Sequence, residues 1–275
     1  MNVTEIMSRK VVCAAPECPL DDAIELFETH PFRHLPVISD GELVGIVSDR
    51  DVALATGWLR ARQRNSDGGL GPKCVGQIMS EDLKTLSEES TAQEAAKIIL
   101  KERIGALPVL HGGTVTGIVT STDLLMASCD EALRSDWKLR SGDTVSSWMT
   151  SAVHTADPDM PLFDALDLCK EKGVRHLPVV EKGFLVGMVS DRDLRVALGQ
   201  EMVHDRAAQT KGRLELMDNS LSNVMVRDVT AASVDCSLPQ AVRTMLACEF
   251  SALPVQKDGR LVGILTHTDI LRSCC

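Results

Sequence analysis

One unit of sequence occurs four times in this chain at fixed internal spacing, and that constrains the fold more than any other feature. Leu-Pro-Val stands at 35–37, 107–109, 177–179 and 253–255. A Met lies 29 residues before each Pro, at Met7, Met79, Met149 and Met225, and an Asp lies 15 after it, at Asp51, Asp123, Asp193 and Asp269. Three further columns are invariant: Ala23, Ala95, Ala165 and Ala241; Gly41, Gly113, Gly183 and Gly259; and Gly45, Gly117, Gly187 and Gly263. Four copies therefore align without a gap for more than forty residues.

Each copy reads as β-α-β-β-α. A short strand follows the Met, as at Val11-Val12-Cys13 or Val153-His154-Thr155. A helix follows, from about Leu20 to His30 in copy one, with Ala23, Ile24 and Phe27 on one face. Ala95, Ala96 and Ile99 repeat that half-buried stripe in copy two. Leu-Pro-Val opens a strand, because Pro lacks an N–H and is tolerated at a strand's first residue. Ser39-Asp40-Gly41 and Lys257-Asp258-Gly259 read as hairpin turns. The return strand, Leu43 to Val47 in copy one, leads into a helix opening at Ser48-Asp49-Arg50-Asp51. A unit of this size buries too little alone, so pairing is expected.

The copies are of two kinds. Copies one and three carry Arg33-His34 and Arg175-His176 before Leu-Pro, then Ser-Asp-Arg-Asp; copies two and four carry Gly105-Ala106 and Ser251-Ala252, then Thr-Ser-Thr-Asp and Thr-His-Thr-Asp. This A-B-A′-B′ order predicts two pseudo-twofold modules, each an A–B pair. Repeat 1 is expected over 1–57, repeat 2 over 75–127, repeat 3 over 144–199 and repeat 4 over 221–275. The polar connector near 128–143 is expected to separate the modules.

The net charge of −10 argues against a protein that grips nucleic acid by its backbone. No apolar run approaches the roughly 20 residues that span a bilayer, and the start of the chain lacks a signal pattern. A cytoplasmic protein without membrane partners is expected. The nine Cys form no CxxC and are read as reduced, small apolar residues, with Cys274-Cys275 at a frayed terminus. No organised metal-ligand spacing is present, and HExxH, GxSxG and GxxxxGK[ST] are absent. No catalytic residue or catalytic cofactor is assigned, and no further domain is read at either end.

The four motifs Ser48-x-x-Asp51, Thr120-x-x-Asp123, Ser190-x-x-Asp193 and Thr266-x-x-Asp269 admit two readings. Ser/Thr-x-x-Asp ahead of an apolar run is close to a helix capping box. A carboxylate there can also accept both hydroxyls of a ribose, in charge-assisted bonds worth roughly 1.5–3 kcal/mol each. The two roles compete for one side chain. Arg33, His34, Arg50, Arg175, His176 and Arg192 could bind phosphate, Arg bidentately, or form local salt bridges. Asp49 beside Asp51 could hold a metal on a triphosphate.

The Met-Ser/Thr start, the Leu-Pro-Val strand and Gly-apolar-apolar-Ser/Thr-x-x-Asp together resemble the CBS domain, over nearly the whole chain. Two CBS domains form a Bateman module, so the resemblance implies an α/β (α+β) fold of four repeats in two such modules. It implies an adenosyl ligand (AMP, ADP or ATP, with or without magnesium) between paired repeats. It gives the four Asp the ribose role, with Ser48, Thr120, Ser190 and Thr266 beside them. Adenine is expected against the post-Met strands: Val11 and Val12, Leu83 and Lys84, Val153 and His154, Val229 and Thr230. In the family a hydroxyl after the Met often faces the ligand; Ser8, Ser80 and Thr150 match, and Val226 departs, which points to the fourth site as the defective one. The expected output is an unidentified regulated protein or the chain's own assembly, as a closed ring of one chain or a homodimer. The rival readings are a scaffold whose Asp residues are only caps, a nucleotide-metabolising enzyme, and a sensor of a dinucleotide or of S-adenosylmethionine, whose sulfonium fits poorly beside Arg33 and Arg175.

Overall fold

In a computed structural model of the chain, residues 1–62, 72–130, 137, 139, 142–198 and 219–275 are described. Repeat 1 contains α1 (Leu20–Thr29), β1 (His34–Ser39), β2 (Glu42–Ser48) and α2 (Asp49–Arg62). Repeat 2 contains β3 (Leu86–Ser87), α3 (Ala92–Glu102), β4 (Ala106–His111), β5 (Thr114–Thr120) and α4 (Ser121–Cys129). Repeat 3 contains α5 (Val145–Trp148), α6 (Leu162–Lys172), β6 (His176–Glu181), β7 (Phe184–Ser190) and α7 (191–198). Repeat 4 contains β8 (Ala232–Ser233), α8 (Leu238–Ala247), β9 (Ala252–Lys257), β10 (Arg260–Thr266) and α9 (His267–Cys274).

The turns follow from residue chemistry. Asp40 and Gly41 have φ of 52° and 85°, and Asp258 and Gly259 have 52° and 76°. Both central residues of these hairpins are thus left-handed, the geometry that matches the strands' twist. The first strand lies later than the sequence reading put it. Its parallel pairing is made at Ala14↔Val37, Leu86↔Val109, Ala156↔Val179 and Ala232↔Val255, the same column each time. Val11 to Cys13 and Val153 to Thr155 lie outside any ladder, because the chain there is crossing from one repeat's sheet to another's.

That crossing explains the Met and second Gly columns. Ser8 exchanges two backbone bonds with Ile118, each 3.0 Å, and Ser80 does so with Ile46, at 2.9 and 3.1 Å. Thr150 pairs likewise with Ile264, and Val226 with Met188. A Cβ on Gly117 would overlap the Met7 sulfur; Gly45 is covered by Met79, Gly187 by Met225 and Gly263 by Met149. Each repeat thus lays its Met over its partner's glycine, which fixes the pairs as 1–2 and 3–4. Val3 is buried in the core of repeat 2, and Val75 in that of repeat 1.

The modules then join within one chain. Helix α4 packs on α8 and α9, and α3 packs on α9. The cores of repeats 2 and 4 merge into one cluster, while those of repeats 1 and 3 form two others among the described residues. Trp137 is 0% exposed in the merged core, and its indole N–H donates to the Leu124 carbonyl at 2.9 Å. Trp137, in the connector between the modules, is thus part of the core they share. The C-terminus is not frayed: Cys274 ends α9 and packs on the same core. Burial pushes its thiol up to about 11. All nine Cys are free thiols; Cys169 is buried, and Cys18, Cys129, Cys236 and Cys274 pack against the cores, whereas Cys248 and Cys275 are exposed and do not fit the apolar-filler reading. No helix among the described residues is long and apolar enough to cross a membrane.

Candidate functional site

The four motif carboxylates all sit at helix starts, and all four cap. Asp51 Oδ2 accepts the Ser48 amide at 2.9 Å and the Ser48 hydroxyl at 2.6 Å. Asp123, Asp193 and Asp269 accept the same pair of donors from Thr120, Ser190 and Thr266 at 2.6–2.9 Å. The cap uses only Oδ2. Among the described residues, Oδ1 of Asp51, Asp123 and Asp193 has no hydrogen-bond or ion-pair partner. Capping and ribose binding therefore need not compete, since each has its own oxygen.

Copy four differs. Asp269 Oδ1 accepts the Thr150 hydroxyl at 3.4 Å and faces Arg272 Nη1 at 3.5 Å, and Asp269 is only 4% exposed. Asp193 is exposed, and Asp51 and Asp123 are half-buried. Burial also lifts the Asp123 carboxyl above its ordinary range, against the pull of the Thr120 hydroxyl and amide.

The crossover also reassigns the residue after each Met. Thr150 belongs with Asp269, and by the same pairing Ser8 belongs with Asp123, Ser80 with Asp51, and Val226 with Asp193. The expectation that Val226 marks the fourth site is corrected: Val226 stands beside the exposed Asp193, and Asp269 is closed off for another reason. Val11, Val12, Leu83 and Val153 are half-buried, whereas His154 is exposed and offers no apolar wall. A cavity of about 290 Å³ lies over Leu83 and Lys84, against Lys97 and Lys101. Another of about 380 Å³ lies over Ala231, Ala232 and Ser233. Neither is lined by a motif carboxylate, so they do not locate the ribose.

The basic groups gather where the modules meet. Arg175 Nη2 donates to the Arg103 carbonyl at 3.3 Å, reaching from repeat 3 to repeat 2, and its charge acts on both His34 and Arg50 of repeat 1. His34 lies against Gly105, where a Cβ would come within 2.9 Å of its ring. His176 Nε2 is 2.9 Å from the Ser251 hydroxyl in the matching column. The small residues of copies two and four thus make room for the histidines of one and three. Desolvation lowers His34, and lowers His176 to about 4, with Arg175 adding to both shifts. These rings are therefore neutral near pH 7, and the standing cations are arginines. His267, which the sequence reading did not single out, sits 3.4 Å from the Ser121 hydroxyl and is likewise held to about 4 by burial.

Arg50 and Arg192 are already engaged. Arg50 pairs with Asp191 of the other module, and Arg192 Nη1 is 2.9 Å from Asp49 Oδ2. Asp49 is thus paired with an arginine of the other module. No group of three metal-ligating side chains occurs among the described residues. Sequence reasoning missed Asp191 and Arg195, whose Nε lies 3.6 Å from Asp191 Oδ2. The signal was present: Asp-Arg occurs at this helix start only in copies one and three.

A family model described as the CBS domain matches residues 3–56, 75–130, 145–200 and 221–274. Uncharacterized protein MJ1225 of Methanocaldococcus jannaschii is 26% identical over 275 residues, 96% of this chain and 95% of that one. Its crystal structure superposes with a TM-score of 0.80 at 25% identity over 99% of both chains, and it is described as a candidate archaeal homolog of g-AMPK. An uncharacterized conserved protein from Pyrococcus horikoshii shares the fold, with a TM-score of 0.67 at 21% identity over 100% of both chains. CBS domain-containing protein YhcV of Bacillus subtilis is 35% identical over 123 residues, 44% of this chain and 83% of that one.

Proposed function

Because the chain belongs to the CBS domain family, we propose that it is a regulatory protein that binds adenine nucleotides (AMP, ADP or ATP) through Asp51, Asp123 and Asp193. One observation carries this reading: in three of four repeats the motif carboxylate caps its helix with one oxygen and leaves the other without a partner among the described residues. Ribose hydroxyls are suited to that oxygen. The basic groups supply the phosphate side, with Arg33, Arg50, Arg175 and Arg192 as cations and His34 and His176 as neutral ring donors. Charge on this side favours a phosphorylated adenosine over S-adenosylmethionine. Asp269 is a strut in this reading, its second oxygen being held by Thr150 and Arg272.

Asparagine separates the two roles of the carboxylate, since its carbonyl keeps the cap and its amide cannot accept the ribose hydroxyls. Titration calorimetry with AMP, ADP and ATP is the test, on the wild type and on Asp51→Asn, Asp123→Asn and Asp193→Asn. Each substitution is expected to weaken one class of site at least tenfold, equivalent to about 1.4 kcal/mol, with an unchanged melting temperature. Asp269→Asn is expected to leave the stoichiometry alone. Absence of heat and of thermal stabilisation with all three nucleotides would hand the motif back to capping alone.

A further inference from the structure

The ion pairs between repeats 1 and 3 are reciprocal. Asp49 and Asp191 occupy one column and Arg50 and Arg192 the next, and each Asp holds the Arg of the opposite module. Such self-complementary contact is what a twofold axis generates, here between two halves of one chain. The contact is peculiar to this junction. At the corresponding positions repeats 2 and 4 carry Ser121-Thr122 and His267-Thr268, so a helix start in this fold does not require the pair.

Each arginine is also next in sequence to a motif carboxylate, Arg50 to Asp51 and Arg192 to Asp193. The side chains of Asp191 and Asp49 are 7% and 13% exposed, while those of Arg50 and Arg192 are 31% and 49% exposed. In each pair the acid is the more buried partner and the arginine the more exposed one.

We propose that Asp49 and Asp191 are internal competitors for the ligand's phosphate groups, so that phosphate binding at Arg50 and Arg192 loosens the junction between repeats 1 and 3. This rests on the nucleotide reading above and adds its regulation. The physics is linkage. Whatever interaction a phosphate takes from the two arginines is withdrawn from the carboxylates, and the effect is reciprocal, so a junction already loosened binds phosphate more tightly. Adenosine, which has the ribose and no phosphate, fills the cleft and leaves the junction closed.

The test combines calorimetry with hydrogen exchange at the first turns of α2 and α7, on the wild type and on Asp49→Asn/Asp191→Asn. Probes are ATP and adenosine, and Asp49→Asn alone is the milder variant. Support would be faster exchange at both turns of the wild type with ATP but not with adenosine, together with tighter ATP binding by the double variant, about fivefold or more. Asp49→Asn should shift affinity in the same direction by less. The inference is overturned if ATP binds the wild type while exchange at the two turns slows or stays put, or if the variants bind ATP equally or more weakly. If ATP binds neither protein, the nucleotide reading falls and takes this inference with it; faster exchange in the ligand-free double variant would still show that the pairs hold the junction.

Discussion

Between repeats 2 and 4, Leu124, Leu125, Ile270 and Leu271 are at most 1% exposed, and the two cores are one. Between repeats 1 and 3, at the same helix starts, the contact is Arg50 with Asp191 and Arg192 with Asp49, and the cores stay separate among the described residues. The two junctions are related by the same internal symmetry and close one ring of four repeats. Apolar burial is non-directional and has no charge for salt to screen, whereas ion pairs trade against solvent, ions and ligands. The ring therefore has a permanent joint and an exchangeable one.

The largest test strikes the permanent joint. Leu124→Ala removes a fully buried side chain from a core that serves two repeats. A loss of about 2–5 kcal/mol is expected from transfer and cavity terms together. Urea unfolding followed by tryptophan fluorescence, to which Trp137 in that core contributes alongside Trp58 and Trp148, reads it. If the joint is shared as described, Leu271→Ala on the facing helix costs a comparable amount, and the two are non-additive because they belong to one packed core. Additivity would mean that the modules carry independent cores, and the contrast between the junctions would fail.

Acid acts by a smaller amount, through His267 at the joint of repeats 2 and 4 and through His176 within the second module. His176 and His267 protonate near 4 in the folded chain against 6.5 ordinarily. Between those values the unfolded chain holds more protons, so stability falls as pH falls through this window and is flat above it. With part of each ring exposed, a loss on the order of 1–3 kcal/mol by pH 4 is expected. His267→Gln should remove part of the acid sensitivity, since it leaves the Ser121 contact without a titrating group.

Much of this was legible before any coordinates. The four-fold columns fixed the repeat, the hairpin turns and the A–B kinds, because a period in sequence is a period in space. The helix at Leu20–Thr29 and the caps at Ser48 and Thr120 followed from local chemistry, and local chemistry is what a single sequence encodes. What escaped was whatever depends on which repeat touches which. The Met and Gly columns were visible as invariants, but their contact, Met7 over Gly117, joins residues 110 apart in different copies. For the same reason Val226 was credited to the wrong carboxylate, and the pairing of Asp49 with Arg192 was not foreseen. The closure of Asp269 shows in sequence only at Arg272, where the other copies carry Leu54, Met126 and Val196, while Thr266-x-x-Asp269 itself reads like its three equivalents.

Salt provides the smallest test and the one most selective for the exchangeable joint. At the ionic strength of a cell the Debye length is about 8 Å, and near 1 M it is about 3 Å. The Arg192–Asp49 pair, with Arg192 half exposed, is the part most open to screening, and exposed pairs are worth about 0–1 kcal/mol. Raising sodium chloride toward 1 M in the ligand-free protein should therefore change global stability by less than about 1 kcal/mol. Exchange at the first turns of α2 and α7 should nevertheless speed up, while α4 and α9 stay protected. Equal acceleration at all four helices would mean that the junctions open together, and the ring would then have one kind of joint. Acceleration confined to α2 and α7 would show that solvent ions can open the same contact that a phosphate is proposed to open, while the apolar joint of repeats 2 and 4 stays closed.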